Sequence, residues 1–144
     1  MKTNTICLLI VTLLIIILTV SCELKRSNPL DPSSHPEIEA PPRVTGLTAV
    51  GSGPGVASKY VQLEWAINNI NQTDGYYIYM GLAYNSAYAR IDEVGNVSTG
   101  STITRVIPIE APGFYYFKVS AYKTYPDGRL EGPLSEWAIA RVDN

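Results

Sequence analysis

Gly113-Phe-Tyr-Tyr-Phe-Lys-Val-Ser-Ala-Tyr122 alternates without a break. Tyr115, Phe117, Val119 and Ala121 form one set, and Phe114, Tyr116, Lys118, Ser120 and Tyr122 form the other. Successive side chains of a strand point to opposite faces, so this period of two marks a long strand with the first set buried. Working outward, Ala111-Pro-Gly113 is a turn leading into it. Tyr60-Val-Gln-Leu-Glu-Trp-Ala66 repeats the alternation, with Val61, Leu63 and Trp65 on one face. Tyr76-Tyr-Ile-Tyr-Met80 places Tyr76, Ile78 and Met80 together. Residues 87–94, 102–108 and 137–142 complete the strands, while residues 68–75 read as a polar loop and 126–129 as a turn. No segment has a helical period. Short strands at near-even spacing, split by turn signals, predict one all-β domain, a β-sandwich, over residues 43–144.

Four motifs then occur in a meaningful order: Val61-x-Leu63-x-Trp65, Gly75-Tyr76-x-Ile78-Tyr79, Gly113-x-Tyr115-x-Phe117-x-Val119-x-Ala121, and Glu131-Gly132 followed by Ser135. Together they resemble a fibronectin type III domain. The resemblance implies an immunoglobulin-like sandwich of seven strands. It puts Trp65 on the second strand, and Pro42 and Leu47 at the opening of the first. Tyr115 falls at the family's corner tyrosine, whose hydroxyl bonds backbone a few residues upstream. These positions are structural in that family, and none is a functional site.

The N-terminus has a different character. Lys2 precedes an apolar run over residues 6–20, and no acidic residue occurs before Glu23. A positive end, a short apolar run and a small residue at its close make a secretory signal peptide. Leu18-Thr19-Val20-Ser21-Cys22 resembles the lipobox of bacterial lipoproteins, although Thr19 and Val20 are not the commonest residues at their positions. The resemblance implies cleavage after Ser21 and acylation of Cys22. Two other readings are an uncut membrane span and plain secretion. A span needs roughly 20 apolar residues, and this run is shorter and carries Thr12 and Thr19. Of the two cysteines, Cys7 would leave with the signal, so Cys22 has no intramolecular partner and acylation is its simplest use. Two or three acyl chains anchor durably, whereas one binds only marginally. Glu23, rather than an aspartate, follows Cys22, and by the best-known Gram-negative sorting rule this favours the outer membrane.

Residues 22–42 hold five prolines and little large apolar material, so they are expected to be a tether. Proline-rich chain extends about 3.1 Å per residue, which would lift the domain up to roughly 60 Å from the lipid. Asn28-Pro-Leu-Asp-Pro32 reads as successive turns. The single histidine, His35, lies here and is expected to be neither base nor ligand.

The domain shows no reactive constellation. Its histidine is outside it, so no Ser-His-Asp set forms, and no His/Cys cluster fits a metal. No cofactor is implied beyond the lipid on Cys22. A net charge of −2 and a pI near 5.3, without a basic patch, exclude a nucleic-acid partner. Asp92 and Glu93 are neighbours on a strand, expected on opposite faces of a solvated edge. Asn71-Gln-Thr73 and Asn96-Val-Ser98 match a glycosylation sequon that carries little meaning in a bacterium. Asp127-Gly-Arg129 is a turn, in reversed order relative to the integrin-binding motif of some animal relatives.

One surface stands out. Tyrosine is abundant, at ten residues. Tyr77, Tyr79, Tyr116, Lys118 and Tyr122 are expected to point outward from neighbouring strands, with Trp137 facing either way. Such an aromatic face suits binding, and tyrosine also simply suits an exposed strand. The expected function is a non-catalytic envelope lipoprotein. It would be held to the membrane by its lipid anchor and would bind an envelope protein or polysaccharide. The alternative is a spacer or assembly subunit without a ligand of its own.

Overall fold

The computed structural model describes residues 28–97 and 100–144. The signal peptide, the lipobox and Cys22 lie outside the described residues, as does Ser98 of the second sequon. The described chain is all-β: β1 (Thr48–Gly51), β2 (Tyr60–Ala66), β3 (Gly75–Gly81), β4 (Ala89–Gly95), β5 (Thr102–Pro108), β6 (Gly113–Tyr125), β7 (Gly128–Glu131) and β8 (Ala138–Val142). One sheet has the order β1-β2-β5. The other runs β4-β3-β6-β7, with β8 also on β6. Every pairing is antiparallel.

The inward sets are those the alternation predicts. Val61, Leu63 and Trp65 from β2 meet Tyr76 and Ile78 from β3 and Phe117, Val119 and Ala121 from β6 in one buried cluster. The Trp65 and Tyr76 rings pack edge-on at 5.5 Å and 64°. The Tyr76 hydroxyl reaches the loop end of the sandwich, accepting from Asn68 N–H at 2.8 Å and donating to Asn96 Oδ1 at 3.2 Å. The corner tyrosine is formed, with the Tyr115 hydroxyl donating to Ala111 O at 2.8 Å.

Two features depart from expectation. Residues 126–129 are not all turn. Pro126 and Asp127 alone make the connection, and Arg129 lies in β7, which pairs Tyr122–Tyr125 and so lengthens β6. The seventh strand is thereby split into β7 and β8. Pro133 lacks an N–H for a continuous ladder. In the gap, Ser135 bonds Val119 in both directions, through its N–H to Val119 O at 2.8 Å and through its Oγ, which accepts Val119 N–H at 2.9 Å. The second departure is in the N-terminal segment. The turns expected at Asn28 and Asp31 form, with Leu30 N–H on Asn28 Oδ1 at 3.1 Å and Ser33 N–H on Asp31 Oδ1 at 3.0 Å. Beyond them the chain lies against the sandwich and buries Ile38 and Pro41.

Candidate interaction surface

The outer face of the larger sheet carries the five aromatic residues expected there, Tyr77, Tyr79, Tyr116, Tyr122 and Trp137. Ladder pairing explains the grouping. Tyr77 stands opposite Ser120 on β6 and Glu93 on β4, and Tyr79 stands opposite Lys118 and Arg90. Tyr122 pairs with Gly75, and Tyr116 with Gly81 and Ile139.

The half nearer the β6–β7 hairpin is closed. Tyr77 and Tyr122 point outward as expected, yet are only 6% and 5% exposed. This corrects the expectation of an open tyrosine face, and the cause is local packing. The two rings stack at 4.6 Å and 27°. Gly75 makes the room, because a Cβ there would collide with the Tyr122 hydroxyl. Arg90 covers Tyr77 at 4.5 Å from the ring centroid, and Arg129 covers Tyr122 at 4.6 Å. Such cation–aromatic contacts strengthen as water is excluded. Arg90 arrives by a register shift between Ile78 and Tyr79. On an unbroken β4, Arg90 and Glu93 would face opposite ways; the shift returns Arg90 to the outer side.

Glu93 closes this half electrostatically. Its Oε1 accepts from the Tyr122 hydroxyl at 2.8 Å and from Arg129 at 2.7 Å. The Tyr122 bond first, and the Arg129 charge after it, hold the Glu93 carboxyl below its ordinary range. Burial first, and Glu93 second, push Tyr122 up to about 12. Tyr79 donates to Glu131 Oε1 at 2.6 Å, an oxygen that Ser120 also bonds. Burial and then that carboxylate raise Tyr79 to about 12 as well. Asp92, adjacent to Glu93, points the other way and takes Arg105 of the smaller sheet at 2.6 Å. The two carboxylates therefore diverge as expected, but both are engaged in ion pairs.

The far half is open. Tyr116 meets Trp137 edge-on at 5.8 Å and 61°. This settles the facing of Trp137, which is outward and 46% exposed. Ile139 stands beside Tyr116 on β8, and Phe114, 57% exposed, lies one outward position further along β6. Lys118 sits over Tyr88 at 4.7 Å, and Arg141 over Phe114 at 6.0 Å. Leu82 and Tyr84, in the loop after β3, are also exposed. The structure thus separates the five predicted aromatic residues. Tyr77, Tyr79 and Tyr122 belong to a saturated lattice, while Tyr116 and Trp137 form an accessible apolar patch joined by Phe114 and Ile139. The β6 alternation already placed Phe114 on the outer side, so that signal was present. Among the described residues no group of three or more His, Cys, Asp or Glu side chains is placed to hold a metal.

The arrangement is that of a fibronectin type III-like sandwich, and comparison with known structures agrees. A crystal structure described as an Fn3-like protein from Clostridium thermocellum superimposes with a TM-score of 0.51 at 23% identity, over 74% of this chain and 97% of that one. The shared feature is the fold. Neither the known family profiles nor the curated proteins give a match to this chain.

Proposed function

We propose that the chain is a lipoprotein of the bacterial cell envelope, lipid-anchored in the outer membrane, whose sandwich is a non-catalytic binding module. The observation that carries the binding role is the open patch of Tyr116, Trp137, Phe114 and Ile139, beside a tyrosine lattice that is already satisfied. Exposed apolar clusters of this kind mark interaction surfaces, and Tyr and Trp are the residues that most often dominate affinity there. The tilted Tyr116–Trp137 pair and its aliphatic neighbour Ile139 suit a protein surface better than a flat sugar ring. Support for the anchor comes from the lipobox resemblance and from the cysteine count, since removal of a signal containing Cys7 would leave Cys22 as the sole cysteine.

The test is a capture from native envelope with the purified domain. The wild type should retain a partner that the Tyr116→Ala/Trp137→Ala variant loses, at unchanged fold. A variant that captures the same partner equally well would favour the spacer role. Competition by envelope polysaccharide, in place of a protein band, would change the partner class.

A further inference from the structure

Between Leu30 and Pro42 the chain touches the sandwich repeatedly. They run along the pole where the β6–β7 hairpin meets the loop between β2 and β3. Pro41 fills the space beside Gly132, where any Cβ would run into the Pro41 carbonyl. Asn68 Nδ2 donates to Pro42 O at 2.8 Å. Glu39 and Tyr125 exchange two bonds: Glu39 N–H donates to the Tyr125 hydroxyl at 3.0 Å, and that hydroxyl donates to Glu39 O at 2.9 Å. Leu30 reaches the hairpin itself, its Cδ1 lying 3.2 Å from where a Cβ of Gly128 would stand. Ile38 is buried between these contacts. The contacts are spread over thirteen residues, from Leu30 to Pro42, and come from three separate elements of the domain.

We propose that this segment is a strap that sets the height and orientation of the anchored domain. The hairpin pole faces the lipid, and the Phe114–Tyr116–Trp137 patch is presented away from it, to a protein arriving from the side opposite the membrane. The inference rests on the anchored reading above. A free tether would allow a standoff of roughly 60 Å. With the strap docked from Leu30 onward, only the eight residues from Cys22 to Pro29 remain, which span at most about 29 Å whatever their conformation. Phe114 and Tyr125 are eleven residues apart on β6, about 36 Å at the rise of a strand. The patch therefore occupies the end of the sandwich remote from the anchor, which disfavours the bilayer as its occupant.

The experiment uses the acylated protein in phospholipid vesicles whose headgroups carry an energy acceptor. A donor is attached through Asp127→Cys at the hairpin or through Pro112→Cys at the opposite end, both exposed positions. Transfer should be several-fold more efficient from the hairpin label. Equal transfer from both labels, with the protein still retained on the vesicles, would overturn the strap and leave the anchor standing. Protein that does not stay with the vesicles would overturn the anchored reading itself. Adding Ile38→Ser and Tyr125→Phe loosens the strap without touching the inner core cluster, and should shrink the difference between the labels. An unchanged difference in that variant would show that something other than the strap orients the domain.

Discussion

Tyr77 and Tyr122 stack ring on ring at 4.6 Å across β3 and β6, on the outside of the sheet. This pair makes a second, smaller packed layer on the face that alternation assigns to solvent. Arg90 and Arg129 roof the layer, and Glu93 balances their charge. The aromatic richness of that face therefore has two uses. Near the hairpin it stabilises the sheet, and at the other end it remains free for contact.

Truncating the two kinds of tyrosine neighbour should separate those uses. Tyr77→Ala removes a nearly buried ring and its stacking partner, and should cost roughly 2–4 kcal/mol. Trp137→Ala removes a half-exposed ring outside the core, and should cost less than about 1 kcal/mol. Denaturant midpoints of the two variants check this. Equal losses would mean that Tyr77 is as open as Trp137.

The inner core sets a higher stake. Trp65→Ala should cost roughly 3–5 kcal/mol as a large core truncation, a large share of the about 5–15 kcal/mol typical of a domain. Tyr115→Phe loses the hydroxyl bond to Ala111 O. That carbonyl belongs to an exposed residue and can be hydrated, so the cost should be about 0.5–1.5 kcal/mol. A Tyr115→Phe loss as large as that of Trp65→Ala would mean the corner organises more of the fold than its one bond accounts for.

The inner faces were readable because alternation is a period-two signal, and β2 and β5 coincide with the expected strands. The corner bond of Tyr115 followed from the family resemblance. The burial of Tyr77 and Tyr122 was not readable in the same way. It depends on the β4 register shift that turns Arg90 outward and on β7 bringing Arg129 across, and neither leaves a mark in hydrophobic periodicity. Arg129 in particular sits in Pro-Asp-Gly-Arg, whose first three residues are strong turn formers and mask the strand that follows. The docked strap was hidden for a related reason. Proline-rich composition forecasts extension, whereas the contacts of Pro41 and Glu39 depend on the shape of Gly132 and the reach of Tyr125, residues about ninety positions away.

Replacing Cys22 with Ser should abolish acyl labelling and either release the protein from membranes or leave uncleaved precursor. Metabolic labelling with a fatty acid, followed by fractionation, reads both outcomes. Unchanged membrane retention without acylation would show that residues 6–20 span the membrane.

The carboxylates and tyrosines of the larger sheet should make stability fall at both ends of the pH scale. Glu93 is held below its ordinary 4.5 by the Tyr122 hydroxyl first and by Arg129. Asp74 is held below 3.8 by the Thr124 N–H first, with Lys123 beside it. For Asp92 burial opposes ionisation most, but the Arg105 bond and the Glu93 N–H together outweigh it. All three are stronger acids folded than unfolded. Their contribution is therefore complete above the unfolded values and is lost as the pH falls through the folded ones. Melting temperature should hold from neutrality to about pH 5 and decline below about pH 4. The alkaline side has the opposite sign. Tyr79 and Tyr122 are raised from 10 to about 12, so their contribution is complete below 10 and is lost as the pH climbs from 10 toward 12. A tyrosinate absorbance titration of the folded protein should show a late component near 12. Glu93→Gln should shift part of that component to lower pH, because the carboxylate that opposes Tyr122 ionisation is gone, and should flatten the acid decline. A single transition centred on the ordinary value near 10 would show that solvent reaches the Tyr77–Tyr122 layer and that the roof of arginines is open.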